Sequence, residues 1–182
     1  MCIVYLKKNP SPNIKFLVIS NRDEFYSRPF ESISEWKNGI IAGKDSKKNG
    51  TWLGFNIYGN FSFVTNFRKP LERDKKYDSR GLLVADFLEK GTIPDNNKLR
   101  DFRPFNLIYG DLKNLHFISN IAENKLNTSP SSLCISNGNL DNQWPKMQRL
   151  EKLLNQVNFD QSIDNLKNDL FEILNDEVKA EM

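Results

Sequence analysis

Cys2 is the first residue whose type and position suggest chemistry. Removal of Met1 is favoured by a small second side chain, and it would leave a thiol and a free α-amine on one residue. The unperturbed pKa values, about 7.7–8 for an α-amine and about 8.5 for a thiol, allow proton exchange between the two near neutral pH. That supplies a nucleophile with a base beside it and needs no histidine. The plain alternative is a small apolar residue in a strand. Asn21-Arg22-Asp23-Glu24 adds a second feature. Arg22 can hold a thiolate electrostatically and Asp23 can orient an α-ammonium, although an Arg–Asp pair at a strand end can also be an ordinary surface pair. Asn66 and Asn137 each follow an apolar run, and an Asn amide is the neutral donor that an oxyanion hole requires. Each also reads as a turn residue that tolerates left-handed backbone. Strand ends on one side of a sheet are where a pocket could gather such groups.

Other residues offer less. His116 is the single histidine, so a Ser-His-Asp triad would rest on it alone and a His-rich zinc site is excluded. Placed between Leu115 and Phe117, it reads as a residue on a strand face. Cys134, in Leu133-Cys134-Ile135, reads as core, and both cysteines are expected as reduced thiols. The glycine-containing stretches 39–45 and 49–54 fit no phosphate-binding motif and read as turns. The run from Arg68 to Lys76 is basic and reads as a solvated loop, with phosphate binding as the lesser alternative.

These residues sit in a chain of 182, with 38% hydrophobic and 27% charged residues and thirteen Phe, enough apolar mass for a packed domain. A net charge of +3 gives little support for nucleic-acid binding. No apolar run approaches the roughly 20 residues of a membrane span, and no signal peptide is legible, so the cytoplasm is the expected location. Three hairpins are expected: residues 2–6 with 16–20, 52–57 with 61–65, and 105–109 with 115–119. In the second, Gly59-Asn60 is read as supplying positive φ angles. Helices are expected from Leu82 to a stop at Gly91, from Pro145 to Val157, and from Ile163 to Leu174. The order of elements makes the fold class α+β with mainly antiparallel sheets.

Eight landmarks then stand in order: Met1-Cys2, Asn21-Arg22-Asp23-Glu24, Ala42-Gly43-Lys44-Asp45, Gly50-Thr51-Trp52-Leu53-Gly54, Thr65-Asn66, Ser79-Arg80-Gly81, Ser136-Asn137-Gly138 and Trp144-Pro145-Lys146. In these the chain resembles the NRDE family, also called the transport and Golgi organisation family, itself similar to N-terminal cysteine hydrolases of the choloylglycine hydrolase and penicillin V acylase type. The resemblance implies one domain over 1–182 with an αββα sandwich of N-terminal nucleophile (Ntn) hydrolase type. It implies Cys2 as nucleophile, Arg22 and Asp23 as its partners, Asn66 and Asn137 as oxyanion and positioning groups, and a small-molecule amide as substrate, with no cofactor. The other function it leaves open is a non-enzymatic carrier of a small ligand such as haem, with Cys2 as a soft ligand. Similar proteins continue into strands with a Tyr-Gly-Thr-Arg motif, which is not found in this sequence. The expectation is therefore a shortened member with a weakened site.

Overall fold

A computed structural model describes residues 2–70, 76–121, 126 and 129–178. Among these, the elements in chain order are β1 (Ile3–Ser11), β2 (Ile14–Asn21), β3 (Phe30–Glu35), β4 (Ile40–Asp45), β5 (Leu53–Asn56), β6 (Phe61–Asn66), α1 (Gly81–Lys90), α2 (Asn96–Leu99), β7 (Phe105–Gly110), β8 (Leu115–Ser119), β9 (Ser132–Ile135), α3 (Pro145–Leu154) and α4 (Ile163–Leu174). They fall into two compact units, one of residues 1–23 with 130–182 and one of residues 24–129.

The first unit is a three-stranded antiparallel sheet, ordered β2-β1-β9, with α3 and α4 packed on it. Ile3 and Tyr5 of β1, Ile19 of β2 and Cys134 of β9 meet Met147, Leu150 and Leu154 of α3 and Leu166 and Leu170 of α4 in one core. The helix spacing follows from the sequence: residues three and four apart share the buried face. Pro145 opens α3 at a position where its missing N–H costs nothing, and the Ser162 hydroxyl accepts from the Asn165 N–H to cap α4. Val157, expected at the end of the second helix-forming run, lies past the end of α3.

The second unit is a six-stranded antiparallel meander, β3 to β8 in sequence order, with α1 laid across its central strands. Leu83, Val84, Phe87 and Leu88 of α1 pack against Ile40, Ala42, Phe105 and Leu107. Gly91, at φ +70°, ends α1 with its N–H on the Phe87 carbonyl, as a left-handed cap should.

Two readings need correcting. Residues 40–45 are strand β4 rather than a turn; only Gly39, at φ +76°, turns the chain there. At the second hairpin Gly59 alone has positive φ. The Asn56 side chain accepts from the N–H groups of Tyr58 and Asn60, which shapes the turn without a second left-handed residue. Among the described residues no helix is long and apolar enough to cross a membrane.

Candidate active site

The sheet of the first unit fixes where Cys2 lies. Pairing Ile3 with Asn21 and Val4 with Ile135 sets the registers of β1 against both neighbours. Those pairings end there, so Cys2 stands just past the paired residues of β1, as Arg22 and Asp23 do past β2 and Asn137 past β9. Cys2 is half-buried and carries a free thiol. A strand that starts at residue 3 stays ordered because it is the middle strand, tied on both edges.

The Cys2 backbone is held from the far end of the chain. Ser136 Oγ lies 2.8 Å from the Cys2 carbonyl oxygen and 3.2 Å from Asn137 Oδ1, and its one proton serves one acceptor at a time. Lys146, in the first turn of α3, covers both with its ammonium, at 3.1 Å from the Cys2 carbonyl and 3.4 Å from Asn137 Oδ1. The ammonium also stands 5.4 Å from the centroid of the Trp144 ring, within cation–π range. Asn137 is itself buried, and its Oδ1 faces Ser136 and Lys146. Ser136 and Lys146 are the residues that reading for chemistry missed. Both lay inside recognised landmarks, but only their hydrogen bonds in the fold show that they share one carbonyl.

A cleft of about 200 Å³ opens beside Ile3 and Lys146, with Leu150, Leu153 and Leu174 as apolar wall. Asn21 Nδ2 donates to the Leu174 carbonyl at 2.7 Å, joining the end of β2 to the end of α4. An ion pair between Arg149 and Asp176 lies on the same cleft.

Cys134 sits opposite Tyr5 in β9, buried to 6% exposure. Burial pushes its thiol up to about 12; the carboxylate of Glu151 adds to the rise and the Lys146 charge opposes it. It is a core residue. His116 stacks on the Tyr109 ring at 5.2 Å from an exposed position on β8, a strand-face residue as expected. Asn66 ends β6 in the second unit, whereas Cys2, Arg22 and Asn137 belong to the first.

Of the remaining landmarks, Asp45 and the glycines build the second unit. Asp45 Oδ2 takes the Arg28 Nε at 2.6 Å, and Oδ1 accepts from the N–H groups of Lys47 and Lys48. Burial pushes the Asp45 carboxyl up, but the Arg28 bond and the two N–H donors outweigh it, and the pKa lies below the ordinary carboxylate value.

The family model for "Transport and Golgi organisation 2" matches residues 1–182. Human "Transport and Golgi organization protein 2 homolog" is 31% identical over 169 residues, 81% of this chain and 60% of the human one. The Drosophila melanogaster protein "Transport and Golgi organization protein 2" is 31% identical over 100 residues, 50% of this chain and 35% of its own. The chain spans about 60% of the length of the mammalian relatives it matches. Among solved structures, the Caenorhabditis elegans N-acylethanolamine-hydrolyzing acid amidase ortholog superposes with a TM-score of 0.57 at 15% identity, over 97% of this chain and 86% of that one. The α+β fold with antiparallel sheets is thus of the Ntn-hydrolase type, and the chain belongs to the Transport and Golgi organisation 2 family.

Proposed function

We propose that this protein is an N-terminal-thiol amidohydrolase acting on an amide of a small molecule, with Cys2 as nucleophile after loss of Met1. The observation that carries the proposal is the setting of Cys2. It stands one residue before the middle strand, with Arg22 and Asn137 just past the ends of the two flanking strands and its carbonyl held by Ser136 and Lys146. That fixes the backbone of the residue that must supply both thiol and amine.

In the proposed reaction the Cys2 α-amine takes the thiol proton and Sγ attacks the amide carbonyl carbon. The Asn137 NH2 stabilises the oxyanion as it forms. Collapse breaks the C–N bond, and the ammonium gives its proton to the leaving amine. Water, deprotonated by the same amine, then cleaves the thioester and releases the acid. Arg22 supplies a cation for the charged intermediate and Asp23 orients the ammonium. Both cysteines are free thiols in this structure, the state that a cytoplasmic setting maintains.

Intact mass spectrometry tests each step. Protein made in the cytosol should lack Met1, and incubation with a panel of small-molecule amides, N-acylethanolamines among them, should add an acyl mass that maps to Cys2. Cys2→Ala should abolish the adduct. Retention of Met1, or no adduct from any amide, sinks the proposal. A Soret band on adding haem, lost in Cys2→Ala, would instead favour the carrier reading.

A further inference from the structure

Residues 71–75 of the basic run that begins at Arg68 lie outside the described residues, whereas the opposite end of the same sheet is described in full. Because β3 to β8 form a meander in sequence order, the turns β3–β4, β5–β6 and β7–β8 all fall at that end, side by side. Neighbouring strands lie about 4.8 Å apart, so the middle turn stands about 10 Å from each of the other two. Polar and glycine residues shape each turn. The Gly39 N–H donates to the Trp36 carbonyl at 2.9 Å and the Gly59 N–H to the Asn56 carbonyl at 3.0 Å. Asp111 Oδ1 accepts from the N–H groups of Lys113 and Asn114, both at 2.7 Å. The Ile57 N–H donates to the Gly39 carbonyl at 3.1 Å, and Asn56 Nδ2 donates to the Leu88 carbonyl at 2.8 Å. The middle turn is thus tied to its neighbour and to α1.

Other positions of these turns are apolar, where turns ordinarily carry polar residues. Tyr58 is 81% exposed, Ile57 61% and Leu112 47%. None of the three belongs to either core. Their backbone is already fixed, so little ordering entropy is lost when a partner covers them. Lys37 and Lys113, both exposed, flank the middle turn, one on each side. The result is a protruding row, apolar in the middle and cationic at its flanks. Three side chains on separate tips cannot bury the roughly 800 Å² per partner that a stable contact between folded proteins needs. A lipid surface has no shape to match. Tips sink singly among the headgroups, where Tyr and aliphatic side chains are favoured and lysine ammoniums meet lipid phosphates. Glu35, Glu89 and Asp111 lie at the same end, so its net charge is small and apolar insertion supplies the larger share of binding.

We propose that these three turns dock the protein on the headgroup region of a lipid bilayer, without spanning it. The proposal is independent of the Cys2 reaction. Flotation of the full chain with vesicles of phosphatidylcholine containing about 30% phosphatidylserine tests it. The parent should float, and added salt should weaken its binding only modestly. Tyr58→Ser and Leu112→Ser should each lower the partition coefficient about tenfold. Lys37→Gln should lower it less and flatten the salt dependence. Phe171→Ser, at an exposed apolar position on α4, should float as the parent does. Using two turn positions protects the test against one variant that folds poorly. Failure of the parent to float overturns the proposal, as does flotation that both turn variants leave unchanged. A concentration-dependent dimer that Tyr58→Ser dissolves would overturn it too, by making a second copy the occupant.

Discussion

The two cysteines should differ in reactivity by a margin that can be calculated for one of them. Burial moves the Cys134 thiol from an ordinary 9.0 up to about 12. At pH 8 its thiolate fraction falls from about one in ten to about one in ten thousand, a roughly thousandfold loss of the reactive form. At 6% exposure the sulfur is also screened from reagents. Brief treatment of Met1-free protein with iodoacetamide at pH 8, followed by peptide mapping, should label Cys2 and leave Cys134 unlabelled until the chain is unfolded. Equal labelling of both would refute the core assignment. The same shift links stability to pH. The folded pKa is raised, so the contribution is complete below pH 9.0 and is lost as pH rises through about 12. The slope in that window is about 1.4 kcal/mol per pH unit, or about 2 kcal/mol lost by pH 10.5. Denaturant melts at pH 8 and pH 10.5 should show that loss in the parent and not in Cys134→Ala. Tyr5, whose phenol is also raised, chiefly by burial, titrates in both proteins, and only the smallest of the causes of its rise, the Cys134 charge, differs between them. An identical pH dependence in the two would show that Cys134 does not titrate as the structure requires.

Three further outcomes follow from named contacts. Lys146→Met keeps the apolar stem but removes the donor to the Cys2 carbonyl and to Asn137 Oδ1; acylation of Cys2 should slow about tenfold while circular dichroism stays native, and an unchanged rate removes Lys146 from the site. Asp45→Asn loses the Arg28 ion pair but keeps an acceptor for Lys47 and Lys48, so it should cost about 1–2 kcal/mol at pH 7 by urea melts. Because the folded carboxyl pKa is depressed, that stabilisation is present above pH 3.8 and lost as pH falls through the folded value, so parent and variant should converge in acid. Gly50→Ala would put a Cβ 2.5 Å from the Gly81 carbonyl carbon, against backbone that has no rotamer to yield; it should lower stability by about 2 kcal/mol or more, and a melting temperature within a degree of the parent would contradict the packing.

How much of this was legible depended on whether a residue's neighbours lie close in sequence. The hairpin at Phe61–Asn66 and the helices at 81–90, 145–154 and 163–174 announce themselves through local period, caps and turns. β3 does not: all six residues of Phe30–Glu35 are exposed, so no buried face leaves a pattern to read. β4 was masked by its glycine, which reads as a turn signal. In fact the Gly43 α-carbon leaves room for the Trp52 ring, where a Cβ would meet Cη2 at 2.8 Å. At the site, Cys2, Arg22 and Asn137 were nameable by residue type, but the sheet order that makes their strands neighbours depends on pairing residue 4 with residue 135. No local signal carries a contact of that separation.

The same distinction sorts the eight landmarks into two physical classes. In the second unit, Gly43, Gly50, Gly54 and Gly81 are places where a side chain would collide with Trp52, with backbone, or with Leu88 and Ala42, and Asp45 knots a turn. These residues are fixed by packing and say nothing about a reaction. Around Cys2 the constraint is different: Ser136 and Lys146 spend their donors on a main-chain carbonyl, an acceptor any residue at position 2 would offer. The fold therefore holds the backbone of residue 2 in place without regard to its side chain, and nothing in that anchoring demands sulfur. Where the scaffold asks only for a carbonyl and the sequence supplies a half-buried thiol, the anchoring does not account for the choice of residue, and the proposed acylation of Cys2 is a reason that would.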